Sequence, residues 1–116
     1  MCDLLSALLL LACPASPTWT TDQVLLEAAT LATLAVDRSQ TLEMRQYPGI
    51  HETNPILGRH PSERKIKTYF AAATLAEVII SNQLSFNTRS DFLGIVLAVE
   101  VGVTAHNKRI GLRYSF

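Results

Sequence analysis

His51-Glu-Thr-Asn-Pro-Ile-Leu-Gly58, continuing through Arg59-His-Pro-Ser-Glu-Arg-Lys-Ile-Lys67 into Tyr69-Phe-Ala-Ala-Ala73, separates one apolar segment from two more. Asn54-Pro55 favours a turn, because proline fixes its own φ and pushes the preceding residue out of the α region. Gly58 supplies a permissive backbone just after Ile56-Leu57. Pro61 cannot continue a helix from upstream, and Ser62 suits an N-cap with Glu63 in the first turn, so a helix starts here. The stretch is therefore a polar connector between helices. His51, Glu52 and Asn54 are its candidate functional residues, since loops carry function. The bland alternative is a folded loop whose polar groups bond one another.

Upstream, Thr20 or Thr21 can cap a helix with Asp22 in its first turn, and the pattern from Gln23 to about Arg45 is helical. Glu27, Thr30, Thr33, Asp37, Gln40 and Thr41 recur mostly at spacings of three and four, which puts them on one face. Ala28, Ala29 and Ala32 would let a neighbouring helix approach closely. Downstream, a second helix is expected from Ser62 to about Leu84, with a stripe of Phe70, Ala73/Thr74, Glu77 and Ser81. Asn82 to Ser90 reads as a turn, and a third helix as Asp91 to about Asn107. Glu100, Thr104 and Asn107 form its polar stripe, and Gly94, Ala98 and Gly102 a small-residue seam for close packing.

These 116 residues make one domain, carry no net charge and show no basic face interleaved with aromatics, which excludes an electrostatic nucleic-acid binder. Charged residues are 17%, below the roughly 25% of soluble domains, and they crowd residues 37–67 and the ends. Glu77 is the sole charge between Thr68 and Thr88, and Glu100 the sole charge between Phe92 and Ala105. A soluble bundle would repeat Lys, Glu and Arg along an exposed face. The expected fold is thus all-α: a small bundle of about three transmembrane helices, near 23–44, 64–86 and 91–107, preceded by a short N-terminal apolar segment. Tyr69 and Phe70 stand where an interfacial aromatic belt would place them.

Arg45, Arg59, Arg64, Lys65 and Lys67 fall in the first connector and Lys108, Arg109 and Arg113 in the tail, whereas the other connector holds only Arg89. The positive-inside rule makes the 45–63 connector and the C-terminus cytoplasmic, in a bacterial inner membrane. Residues 1–16 form a separate signal-like or lipoprotein-like segment, and 17–116 a single helical membrane domain. Leu4–Ala12 is too short to span a bilayer but suits a signal-peptide core, and Leu10-Leu11-Ala12-Cys13 resembles a lipobox with Cys13 as the lipidation candidate. The segment carries Asp3 and no Lys or Arg, unlike the usual basic start.

Asp37, Glu77 and Glu100 each lie within a helix on its polar stripe. Intramembrane carboxylates are expensive and usually face the bundle interior. Three such charges cannot stay ionised together without a proton, a cation or a metal. Arg38, His106 and Lys67 are the candidate cations. The polar cluster is expected to comprise Asp37, Gln40, Glu77, Glu100, Thr104 and Asn107. Buried polar contacts that glue the helices are the first reading. A metal-dependent membrane enzyme and a proton or ion path using Asp37, Glu77 and Glu100 are the alternatives. No HExxH, ExxH or GxSxG signature occurs. No cofactor is predicted, although the carboxylates and histidines leave a divalent metal open.

The ordered set Asp37-Arg-Ser-Gln-Thr41, His51-Glu-Thr-Asn-Pro-Ile-Leu-Gly58, Tyr69-Phe-Ala-Ala72, Glu100, His106-Asn107 and Ile110-Gly-Leu112 resembles small helical membrane proteins encoded in bacteriophages and prophages. It covers about residues 22–116. No activity comes with that family, so the resemblance implies a phage or bacterial membrane protein, and the reading of buried polar contacts that glue the helices makes it a non-catalytic accessory or structural one. Its partners would be the lipid bilayer, a second copy of itself, or another phage or host membrane protein.

Overall fold

The computed structural model describes residues 19–112. Among them are three α-helices and no strand: α1, Thr21–Met44; α2, Glu63–Gln83; and α3, Phe86–Arg109. The segment 1–16, with Cys13, lies outside the described residues.

Each helix end follows from local chemistry. Thr20 caps α1: its hydroxyl accepts from Gln23 N at 3.2 Å, and Gln23 Oε1 accepts from Thr20 N at 3.3 Å. This reciprocal capping box satisfies two otherwise orphaned amides. Ser62 caps α2 through Lys65 N at 3.1 Å. Glu63 in that first turn accepts from Lys67 Nζ at 2.8 Å, and this hydrogen bond holds its carboxyl below the ordinary carboxylate range. α3 closes in a Schellman motif: Gly111 takes φ +102°, its N–H donates to Lys108 O, and Leu112 N donates to Asn107 O at 2.9 Å.

α1 and α3 run parallel. Gln23 Nε2 donates to Phe86 O and Ser90 Oγ, both at 2.9 Å, at one end, and Gln40 Nε2 to Thr104 O at 3.2 Å near the other. α2 runs antiparallel to α1, with Trp19 Nε1 donating to Asn82 Oδ1 at the start of α1. Leu34, Ile66, Phe70 and the connector's Leu57 form the apolar core between α1 and α2, flanked by Leu42 and Tyr69. The connector, the start of α2 and the end of α3 therefore share one end of the bundle, where the basic residues gather.

The turn expected over Asn82–Ser90 is shorter than composition suggests. α3 begins at Phe86 rather than Asp91, with Ser85 as its N-cap. Arg89 explains the difference. It is fully buried, donates from Nε to Ser81 O at 2.7 Å and from Nη2 to Leu84 O at 2.9 Å, and lies 4.6 Å over the Trp19 ring. A polar run that reads as loop is drawn into helix because its arginine caps the end of α2.

The interior is inverted in polarity. Among the described residues eight buried side chains are apolar, Pro61 included, and nine are polar or charged, so polar groups hold as much of the inside as apolar ones do. Val24, Leu25, Ile80, Ile95, Val99 and Val101 are exposed, Ile95 by 65%. Two expectations about packing are corrected. Among the described residues nothing lies within 4 Å of where a Cβ would stand on Gly94 or Gly102, and Ala98, Ala28 and Ala32 are exposed, so these small residues seat none of the described helices. The α1–α3 contact is made instead by longer polar side chains on the other face of α3. Phe70 is buried and Tyr69 half-buried against it, edge to face with centroids 5.1 Å apart, so they do not form an outer belt. No described helix is long and apolar enough to cross a membrane.

Candidate functional site

The buried stripe of α1 organises the site. Gln23, Thr30, Gln40 and Thr41 are buried on it, with Glu27 and Asp37 half-buried between them. Thr30 is tolerated inside because its hydroxyl donates to Leu26 O of its own helix at 2.8 Å.

At the connector end, α1 and α3 are joined by a polar network. Asn107 Nδ2 donates to Asp37 Oδ1 at 3.1 Å and to Gln40 Oε1 at 3.2 Å. Thr41 Oγ1 donates to Asp37 Oδ1 at 3.3 Å. The Glu100 carboxyl lies beside that of Asp37. Thr104 takes part through its carbonyl, because its hydroxyl donates to Val101 O within α3.

The connector folds back over this network. Asn54 is the pivot: its carbonyl accepts from Leu57 N and Gly58 N, its Oδ1 from Ile56 N, and its Nδ2 donates to the Tyr69 hydroxyl at 2.9 Å. Gly58 takes φ +80° to complete the turn. Glu52 Oε1 accepts from the backbone N–H groups of Thr53 and Asn54, both at 2.9 Å. A cleft of about 260 Å³ results, lined by Asp37, Glu52, Asn54, Tyr69 and Glu100 among others. Residues scattered between positions 37 and 107 are thus gathered at one place. His51 is exposed and does not line this cleft.

Glu77 does not join them. It is buried between α1 and α2 beside Glu27, about 15 Å along α1 from Asp37 at 1.5 Å per residue. Among the described residues no N–H or O–H reaches either buried oxygen of Glu77 or one buried oxygen each of Glu27, Glu43 and Glu100. Two carboxylates have no hydrogen to give, so each contact, Glu27–Glu77 and Asp37–Glu100, is a hydrogen bond only if one partner carries a proton. The expected cluster therefore divides into two carboxyl pairs at different levels of α1.

The candidate cations do not serve these pairs. Lys67 is committed to Glu63, and neither Arg38 nor His106 forms an ion pair among the described residues. Nor do three His, Cys, Asp or Glu side chains converge there in a geometry that would hold a metal ion. Glu27 and Tyr69 are the site residues that the sequence-based cluster lacks. Glu27 was legible as a member of the α1 stripe, whereas the role of Tyr69 depends on the fold of the connector. No family model, curated protein or solved structure matches the chain.

Proposed function

We propose that the chain is a small integral membrane protein, a non-catalytic accessory or structural component of bacteriophage or prophage type, held together by buried polar contacts. The inverted polarity carries this reading. In water a fold that buries Gln23, Gln40, Glu77 and Asn107 while exposing Val24, Leu25, Ile95 and Val99 would forgo most of its hydrophobic stabilisation. In lipid the same arrangement is favourable: apolar side chains meet acyl chains, and polar ones cross-link helices. Gln40, Glu77 and Asn107 lower the average hydropathy of their helices while buried against neighbours, whereas the exposed charges Glu63, Arg64, Lys65, Lys67, Lys108 and Arg109 lie near the helix ends. Basic residues at one end suit a cytoplasmic connector and C-terminus in the bacterial inner membrane.

Fractionation tests this. The expressed chain should pellet with membranes, resist alkaline carbonate and require detergent for release. A monomer that stays in solution without detergent would overturn the reading.

The two carboxyl pairs favour a second reading, a proton or ion path along α1. In that case Glu100→Gln should abolish ion flux while the helices stay assembled. Reconstituted vesicles decide between the readings.

A further inference from the structure

A second cleft, of about 310 Å³, lies between the end of α1 and the start of α2. Its polar lining is Thr41, Arg45, Arg59, His60 and Ser62, and Met44 and Tyr47 stand among its apolar walls. Among the described residues no Asp or Glu lines it. Ser62 is the N-cap of α2, so the positive end of that helix dipole abuts the cleft. Arg59 is pinned in place through its carbonyl, which accepts from Glu52 N at 2.9 Å. Arg45 touches Glu63 at the rim at 3.6 Å, a long pair with both side chains about half-exposed, which contributes little in water and yields readily to a better anion.

We propose that this cleft binds a phosphate group, presented by an anionic phospholipid of the adjoining membrane. Two guanidinium groups, an imidazole and a helix N-terminus match the oxygens of a phosphodiester. The apolar walls match the glycerol and upper acyl region, which a free phosphate ion would leave unused. The lipid assignment rests on the membrane reading above, in which the basic connector faces the leaflet whose anionic lipids attract such residues.

Native mass spectrometry of the full chain released from detergent tests the inference, with phosphatidylglycerol, phosphatidylcholine of the same acyl chains, or inorganic phosphate added. One phosphatidylglycerol per chain should be retained, about tenfold or more over phosphatidylcholine. An R45Q/R59Q variant should lose about twenty-five-fold in retention, taking roughly fivefold for each arginine–phosphate contact removed. Arg64 and Lys65 do not line the cleft, so R64Q/K65Q should change retention less than about threefold. Circular dichroism establishes that both variants keep their helices. Equal retention of the two lipids would overturn the proposal, as would equal losses in the two variants, which would mean diffuse surface charge. Displacement of the lipid by equimolar inorganic phosphate would mean a free-anion site and would overturn the lipid assignment. Membrane partition should be unchanged in R45Q/R59Q, because the helices carry it. Lost lipid retention with intact partition thus tests the cleft, and lost partition of the unmodified chain tests the membrane reading.

Discussion

Replacing Glu77 tests how α1 and α2 are held together. Glu77 is 5% exposed, and its carboxyl faces Glu27 with no N–H or O–H donor among the described residues for either of its oxygens. Glu77→Gln supplies an amide N–H to the Glu27 carboxyl in almost the same volume, in place of a shared proton. Stability should then stay within about 0.5 kcal/mol of the parent or rise, since a hydrogen bond to a charged acceptor is worth roughly 1.5–3 kcal/mol when well formed. Glu77→Ala removes the contact and should weaken the bundle by about 0.6–2 kcal/mol, the range for a polar contact between membrane helices. The cycle Glu27→Ala, Glu77→Ala and the double variant should return a coupling of similar size. Reversible unfolding in mixed micelles, followed by far-ultraviolet circular dichroism, measures all four. If Glu77→Gln destabilises as much as Glu77→Ala, or if the coupling falls below about 0.3 kcal/mol, the carboxyl pair does not join the two helices.

Cysteines placed at Ser85 and Gly49 should label from opposite sides of the membrane, and labelling of both from outside would refute the topology. Asn107→Ala removes the donor to both Asp37 and Gln40, so it should destabilise by about 1–2 kcal/mol in the same unfolding assay, more than Thr104→Val, whose hydroxyl bonds only its own helix. Arg89→Leu leaves the Ser81 and Leu84 carbonyls without that donor and should cost at least about 1.5–3 kcal/mol. It should also shift the emission of Trp19, the sole tryptophan, which the guanidinium covers. The intact mass of the membrane-extracted protein reports on the N-terminus: a chain beginning at diacylated Cys13 would establish the lipoprotein reading, and an intact Met1 would remove it.

The three helices and most of their ends are legible in the amino-acid sequence. These depend on local chemistry: Thr20 and Ser62 as caps, Asn54-Pro55 and Gly58 as a turn, and stripes at helical spacing. The sequence also placed Asp37, Gln40 and Asn107 on inward faces, because a helix fixes which residues share a side. Which stripes meet was not legible, since periodicity is a property of one helix and pairing a property of two. Glu77 and Asp37 look equivalent in sequence, yet α2 runs antiparallel to α1 and sets Glu77 beside Glu27. The Gly94–Gly102 seam reads as a packing surface, but polar side chains made the α1–α3 contact and left it outside. Arg89 reads as loop and is the buried cap of the α2–α3 turn, because carbonyls and an indole brought near by the fold are its partners. Only the tertiary structure could fold the connector back, so that Glu52, Asn54 and Tyr69 close over Asp37 and Glu100.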